Sequence, residues 1–225
     1  KRIDSARIYM RKALDLDAEN PVIIQRMADL YRQQKNTDSA LFYFRKYMGY
    51  RTAIGEGQLH LQTGNFMAEM NLPDSALRYY QLSMDADTRI VQPALNAGVL
   101  LMKSESYEEA LPYLQQAIKR GPDHFSALYN LGLVFHVLNR YDSAIQYISR
   151  AILQEPGRSD TYYQLACTYA LAGQNEQAIL YLRQALERGY KNKESLLTDP
   201  DLEDLKGFKE FQSLIDKYLP DRKLP

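Results

Sequence analysis

The side chains that could carry chemistry are few and do not converge. His60, His124 and His136 fall at three different phases of the repeat described below, so they are not expected to meet at a metal. Cys167 is the single cysteine and has no patterned histidine near it; it reads as a small buried hydrophobe rather than a nucleophile. Gly55-Glu56-Gly57 lacks the strand, the third glycine and the helix that a dinucleotide loop needs. Acidic pairs such as Glu108-Glu109 stand at expected helix starts, where they favour the helix dipole. The expectation is a non-enzymatic protein with no catalytic residue, no cofactor and no metal.

The elements that must position any functional surface come from a repeat. Gly64, Gly98, Gly132 and Ala166 are spaced 34 residues apart, and so are Ala76, Ala110, Ala144 and Ala178. A step of 36 back from Ala76 reaches Ala40, and 34 more reaches Ala6. An acid-polar-Ala signature travels with it, from Asp4-Ser5-Ala6 and Asp38-Ser39-Ala40 to Asp142-Ser143-Ala144 and Glu176-Gln177-Ala178. A constant interval over most of a chain marks a stacked solenoid. Glycine inside a helix costs about 0.5–1 kcal/mol relative to alanine. Three at one phase imply close approach of two helices, with the recurring alanine as the expected partner surface.

The stretch from Leu128 to Pro156 carries a fuller pattern: Leu128, Leu131-Gly132, Phe135, Ala144, Ile148, Ala151 and Pro156. It resembles the tetratricopeptide (TPR) repeat family in a bacterial-type array. The resemblance implies an all-α fold, an α-α superhelix (TPR solenoid) of antiparallel helical hairpins. The expected division is a half repeat at 1–20, repeats at 21–56, 57–90, 91–124, 125–158 and 159–192, and a C-terminal capping segment at 193–225. The half repeat looks like a second helix without its first, so sequence upstream is expected to have been removed. Gly49, Gly55 and Gly57 mark an irregular joint, read as an altered stacking angle or a longer loop. Pro73 suits the first turn of a helix. Ser106 with Glu109 reads as a capping box, and Pro112 as a slight bend.

From Asn192 the period breaks in the sequence. The tail TDPDLEDLKGFKEFQSLIDKYLP sets Phe208, Phe211, Leu214, Ile215 and Tyr218 at helical spacing, ended by Pro220. It is similar to the DPDL…FxxL tail that closes many bacterial arrays of this family, which implies a capping helix.

In such arrays the first helix of each hairpin lines a concave groove, and the resemblance implies which positions face it. The groove residues on this reading are Leu95, Asn96, Tyr129, Asn130, Leu133, His136, Tyr163 and Gln164. His136 is expected to be exposed and His60 to be packed. Side-chain amides can bond an extended backbone through donor and acceptor, and tyrosine gives contact area at low entropy cost. An even-handed alternative is that the row of Asn and Gln only supports the fold. The fifth repeat positions carry no lysine, so the carboxylate clamp of chaperone-tail domains is absent. The asparagine row is loosely similar to that of the O-linked sugar transferase's repeat domain, but too short and interrupted to imply a function.

The partner implied is a protein or extended peptide. Lys plus Arg equals Asp plus Glu, at 28 each, which argues against a general phosphate or nucleic-acid binder. No apolar run approaches membrane-spanning length. Self-association through the N-terminal half repeat, motivated also by 18 tyrosines, is the alternative; a regulatory arm of a larger enzyme is a third reading. The compartment is left open.

Overall fold

Two residues short of each hairpin's second helix, the backbone turns left-handed in the same way five times. Lys35, Asn71, Glu105, Asn139 and Gly173 have φ of 57°, 58°, 58°, 57° and 72°. Each ends its helix in a Schellman motif, as where Lys35 N–H donates to Arg32 O and Asn36 N–H to Tyr31 O, at 2.9 and 3.0 Å. Only one of the five is glycine, so four L-residues accept a conformation that costs about 1–2 kcal/mol outside glycine, less for asparagine.

These turns join the hairpins of a computed structural model that describes residues 2–50 and 55–219, with side chains from residue 8 onward. Ala6 is therefore outside the described side chains. Residues 51–54 of the irregular joint and Pro220 are outside the described residues. The chain divides into two compact units, Lys1–Pro93 and Ala94–Pro225.

The first unit holds α1 (Arg2–Leu16), α2 (Pro21–Gln33), α3 (Thr37–Gly49), α4 (Glu56–Glu69) and α5 (Pro73–Ala86). Asn20 caps α2, its Oδ1 accepting from Val22 and Ile23 N–H at 3.1 and 3.3 Å. Ile24, Met27, Ala28 and Tyr31 then recur at helical spacing and are buried. Phe44 stacks on Phe66, centroids 4.0 Å apart, tying α3 to α4. Pro73 opens α5 as expected. Gly57 is a packing glycine: an added Cβ would lie 2.8 Å from Asp87 Cβ, and its carbonyl accepts from Ser83 Oγ at 2.6 Å.

The second unit holds α6 (Gln92–Lys103, begun two residues earlier), α7 (Tyr107–Arg120), α8 (Phe125–Val137), α9 (Tyr141–Gln154), α10 (Ser159–Leu171), α11 (Asn175–Glu187), α12 (Lys193–Thr198), a 3-10 turn (Pro200–Leu205) and α13 (Lys209–Tyr218). Helices α8 and α10 are buried nearly all round, as first helices covered on more than one side must be. Pro112 lies inside α7, which runs unbroken. Ser106 takes the N-cap position, yet its side chain makes no capping bond, which corrects the capping-box expectation. The longer Asn36 at the same place before α3 does reach Ser39 N–H, at 3.1 Å.

The glycines do mark close approach: the expected alanine lies against two of them, with Ala76 O 3.3 Å from a Cβ at Gly64 and Ala144 O 3.4 Å from one at Gly132, and a larger side chain comes closer still. A Cβ at Gly64, Gly98 or Gly132 would come within 2.7, 2.6 or 2.5 Å of Tyr80, Leu114 or Ile148. Those residues stand one turn beyond Ala76, Ala110 and Ala144, which are 0% exposed. The alanine lets the second helix in, and the larger side chain then fills the space over the glycine.

The tail keeps the period that its sequence hides. Lys193 and Lys209, where α12 and α13 begin, lie 34 residues after Ser159 and Asn175, where α10 and α11 begin. It occupies the slots of a further hairpin with the first helix broken at Asp199-Pro200. The second is turned by about one residue: Phe211, Leu214 and Ile215 are buried, whereas the in-phase Gln212 and Asp216 are exposed. A proline inside a helix removes a donor and clashes with the previous turn, which explains the break.

Candidate functional site

The expected groove residues lie on α6, α8 and α10, and the segment of the 3-10 turn covers two of them. Leu95 is 5% exposed, while Asn96, Tyr129, Asn130, Leu133 and Gln164 are half-buried. Asn130 donates one amide hydrogen to Ser126 O at 2.8 Å, within its own helix. Tyr129 stacks on Phe125, centroids 5.6 Å apart. Burial, then the Asp160 carboxylate, pushes the Tyr129 phenol up to about 12.

His136 and Tyr163 are 9% and 8% exposed, because the 3-10 turn lies against them. His136 is thus not the exposed residue expected. Its Nε2 is 3.0 Å from Asp201 Oδ2, and its Nδ1 is 3.0 Å from Thr168 Oγ1. Thr168 Oγ1 also donates to Gln164 O at 2.8 Å. A neutral ring leaves one of these three contacts without a proton, and the imidazolium supplies all three. Tyr163 donates its hydroxyl to Asp199 Oδ2 at 2.6 Å and stacks on Tyr190, centroids 4.3 Å apart. Burial above all, with Cys167 and Asp199 adding to it, drives the Tyr163 phenol well above its usual range.

Cys167 is buried, as its sequence context implied, with Sγ 3.9 Å from Asp199 Oδ2. Among the described residues, Cys167, Asp199 and Asp201 form a cluster whose ligand atoms lie within 4.8 Å of one another. Burial, then the two carboxylates, push the thiol strongly up, so it sits here as a protonated donor rather than a thiolate ligand. His60 is partly buried, 6.0 Å from the Tyr79 ring and 3.5 Å from Glu56 Oε1. His124 takes the N-cap position of α8, with no side-chain capping bond.

The residues missed in the sequence are Thr168, Tyr190, Asp199 and Asp201. Two acids flanking a proline were visible as a signal, but nothing in their spacing says which surface they meet. No described helix is long and apolar enough to cross a membrane.

A family model described as tetratricopeptide repeat matches residues 95–160, and a second one of the same description matches residues 23–53 and 159–188. No curated protein matches the chain. Among solved structures, the crystal structure of MamA protein is 22% identical, with 81% of this chain and 97% of that one covered at a TM-score of 0.62. MamA 41-end from Desulfovibrio magneticus RS-1 is 18% identical over 72% and 94%, at 0.58. YrrB, described as a TPR protein with an unusual peptide-binding site, is 22% identical over 80% and 92%, at 0.57. At these identities the likeness is one of fold.

Proposed function

We propose a function from one premise: the chain belongs to the tetratricopeptide repeat family, whose models match residues 23–53, 95–160 and 159–188. It serves as a non-enzymatic protein-interaction scaffold. Its inner helices in the second unit bind an extended peptide through Asn96, Tyr129, Asn130 and Leu133, with Leu95, His136, Tyr163 and Gln164 completing the surface. The observation that supports this reading is that two of these side chains already hold a stretch of polypeptide, Tyr163 and His136 being bonded to Asp199 and Asp201. A surface that orders one peptide by side-chain donors has the chemistry to order another.

Selection of peptides from a displayed library with the full chain tests the reading. Replacing Asn96, Tyr129 and Asn130 together by alanine should weaken the selected peptides at least about 100-fold, the loss of two to three good contacts, with helicity retained. Unchanged affinity removes the groove assignment.

A second reading, self-association through α1, has its own observation. Ile8, Tyr9 and Leu16 on that helix are 54%, 72% and 90% exposed. Sedimentation at several concentrations decides it, since a monomer throughout leaves no role for that face. The tail segment 193–225 is read as closing the last repeat, with Phe211, Leu214 and Ile215 of α13 buried and packed toward α11.

A further inference from the structure

The 3-10 turn is held in a way that a closing element alone does not require. Tyr163 and Cys167 are the fifth and ninth residues of α10, and His136 is the twelfth of α8. On the groove reading above, these repeat positions line the groove rather than the end of the array. Their side chains contact two carboxylates set two residues apart, Asp199 and Asp201, and Thr168 bonds to the far nitrogen of the His136 ring. Leu202 and Leu205 are 0% exposed and anchor the same segment. A purely closing repeat would run α12 on as a regular helix. Pro200 instead interrupts it, and Asp199 Oδ1 accepts from Asp201 N–H at 3.0 Å to start the tighter turn. The chain then crosses α10 and reaches α8, 65 residues back in sequence.

We propose that Asp199–Leu205 is a built-in ligand. The wall formed by His136, Tyr163, Cys167 and Thr168 is a subsite for an acidic peptide of the pattern Asp-Pro-Asp-Leu, and the chain's own copy fills it until an outside peptide of that chemistry takes its place. This rests on the groove reading above and adds the ligand class. Donors from Tyr163 and His136 meet the carboxylates, and apolar contacts take the leucine. A tethered segment competes at an effective concentration on the order of millimolar, so the closed form resists a free peptide and a released form accepts it.

The test uses the full chain and a fluorescent peptide of sequence TDPDLEDL, copied from residues 198–205. The double variant Asp199→Ala/Asp201→Ala should bind it at least about 10-fold more tightly than the native chain, with the competitor at that tethered concentration removed. Replacing the two peptide aspartates that flank the proline by alanine should abolish the gain. Cys167, the single thiol, reports the opening: its alkylation should speed up in the double variant and slow again when peptide is added. A variant that keeps its helices, exposes Cys167 and takes up no peptide overturns the proposal, leaving a structural cap. Should the variant lose its helices, hydrogen exchange of the native chain decides instead. Excess peptide must then strip protection from 199–205, and unchanged protection overturns the proposal. Library peptides that depend on Tyr129 and Asn130 would still bind in that event, so the groove reading would survive.

Discussion

The first helices of the hairpins in the two units use the same repeat positions for different chemistry. In the first unit, Gln25, Asp29 and Arg32 of α2 face Gln62, Asn65 and Glu69 of α4 around a cavity of about 190 Å³. Arg32 pairs with Asp29 at 3.0 Å and with Glu69, and lies 5.9 Å from the Phe66 ring centre. These charges keep substantial solvent contact, where an ion pair contributes about 0–1 kcal/mol. In the second unit the corresponding positions include Tyr129, Tyr163 and His136, and the last two are buried against the chain's own acidic segment. The repeat fixes where a side chain stands; the residue placed there decides whether the face stays wet or closes.

The largest expected effect tests that closure. Leu202→Ala should cost about 2–5 kcal/mol, as for other buried leucines. Hydrogen exchange should show the loss in α10 and the 3-10 turn, with α2 to α5 unchanged. Equal loss in both units would mean that they do not open separately.

A smaller contrast lies within the second unit. A Cβ on Gly132 meets Ile148 N at 3.1 Å as well as its side chain, whereas one on Gly98 meets only Leu114 side-chain atoms. Gly132→Ala is overpacked against backbone and should lose about 1–3 kcal/mol by thermal denaturation. Gly98→Ala should be near neutral, because the chain already sets Ala166 at this phase with Leu182 one turn past Ala178. Similar losses at both sites would show that backbone proximity is not what matters.

Alkaline titration should separate the units further. The Tyr129 phenol titrates near 12 when folded, against about 10 when unfolded. Its contribution is complete below pH 10 and is lost as pH rises through 12, because the unfolded chain gives up the proton first. Tyr163 and Tyr190 are shifted upward by burial in the same unit. In the first unit burial also raises Tyr43. The second unit should therefore unfold at lower alkalinity, followed by tyrosinate absorbance and hydrogen exchange together; the reverse order contradicts the burial argument.

The smallest effect should be shared. Lys35 and Glu105, one in each unit, hold left-handed turns at φ of 57° and 58°. Glycine at either relieves that strain, offset by its greater freedom when unfolded, for a net gain of about 0.5–1 kcal/mol. Unequal gains in melting would show that the two turns differ in more than sequence.

Much of the fold was legible because the information is local and repeated. Each hairpin is written by side chains three, four and thirty-four residues apart, so Ala76, Ala110 and Ala144 announced a buried face at a constant interval. The half-buried Asn96, Tyr129 and Asn130 could be placed on first helices from the same interval, though not assigned a ligand. Which large residue covers each glycine was not legible, since side-chain direction along the helix, rather than spacing, selects Leu114 over Ala110.

What the sequence determined by itself is the period and the helical hairpins. What only the tertiary structure decided is that Asp199 and Asp201 turn back onto Tyr163 and His136. Those contacts join residues 36 and 65 apart, neither a multiple of 34, through a proline-broken helix. Periodicity reports contacts that recur; a contact made once, by a chain leaving its helical path, depends on where the surrounding helices put their donors.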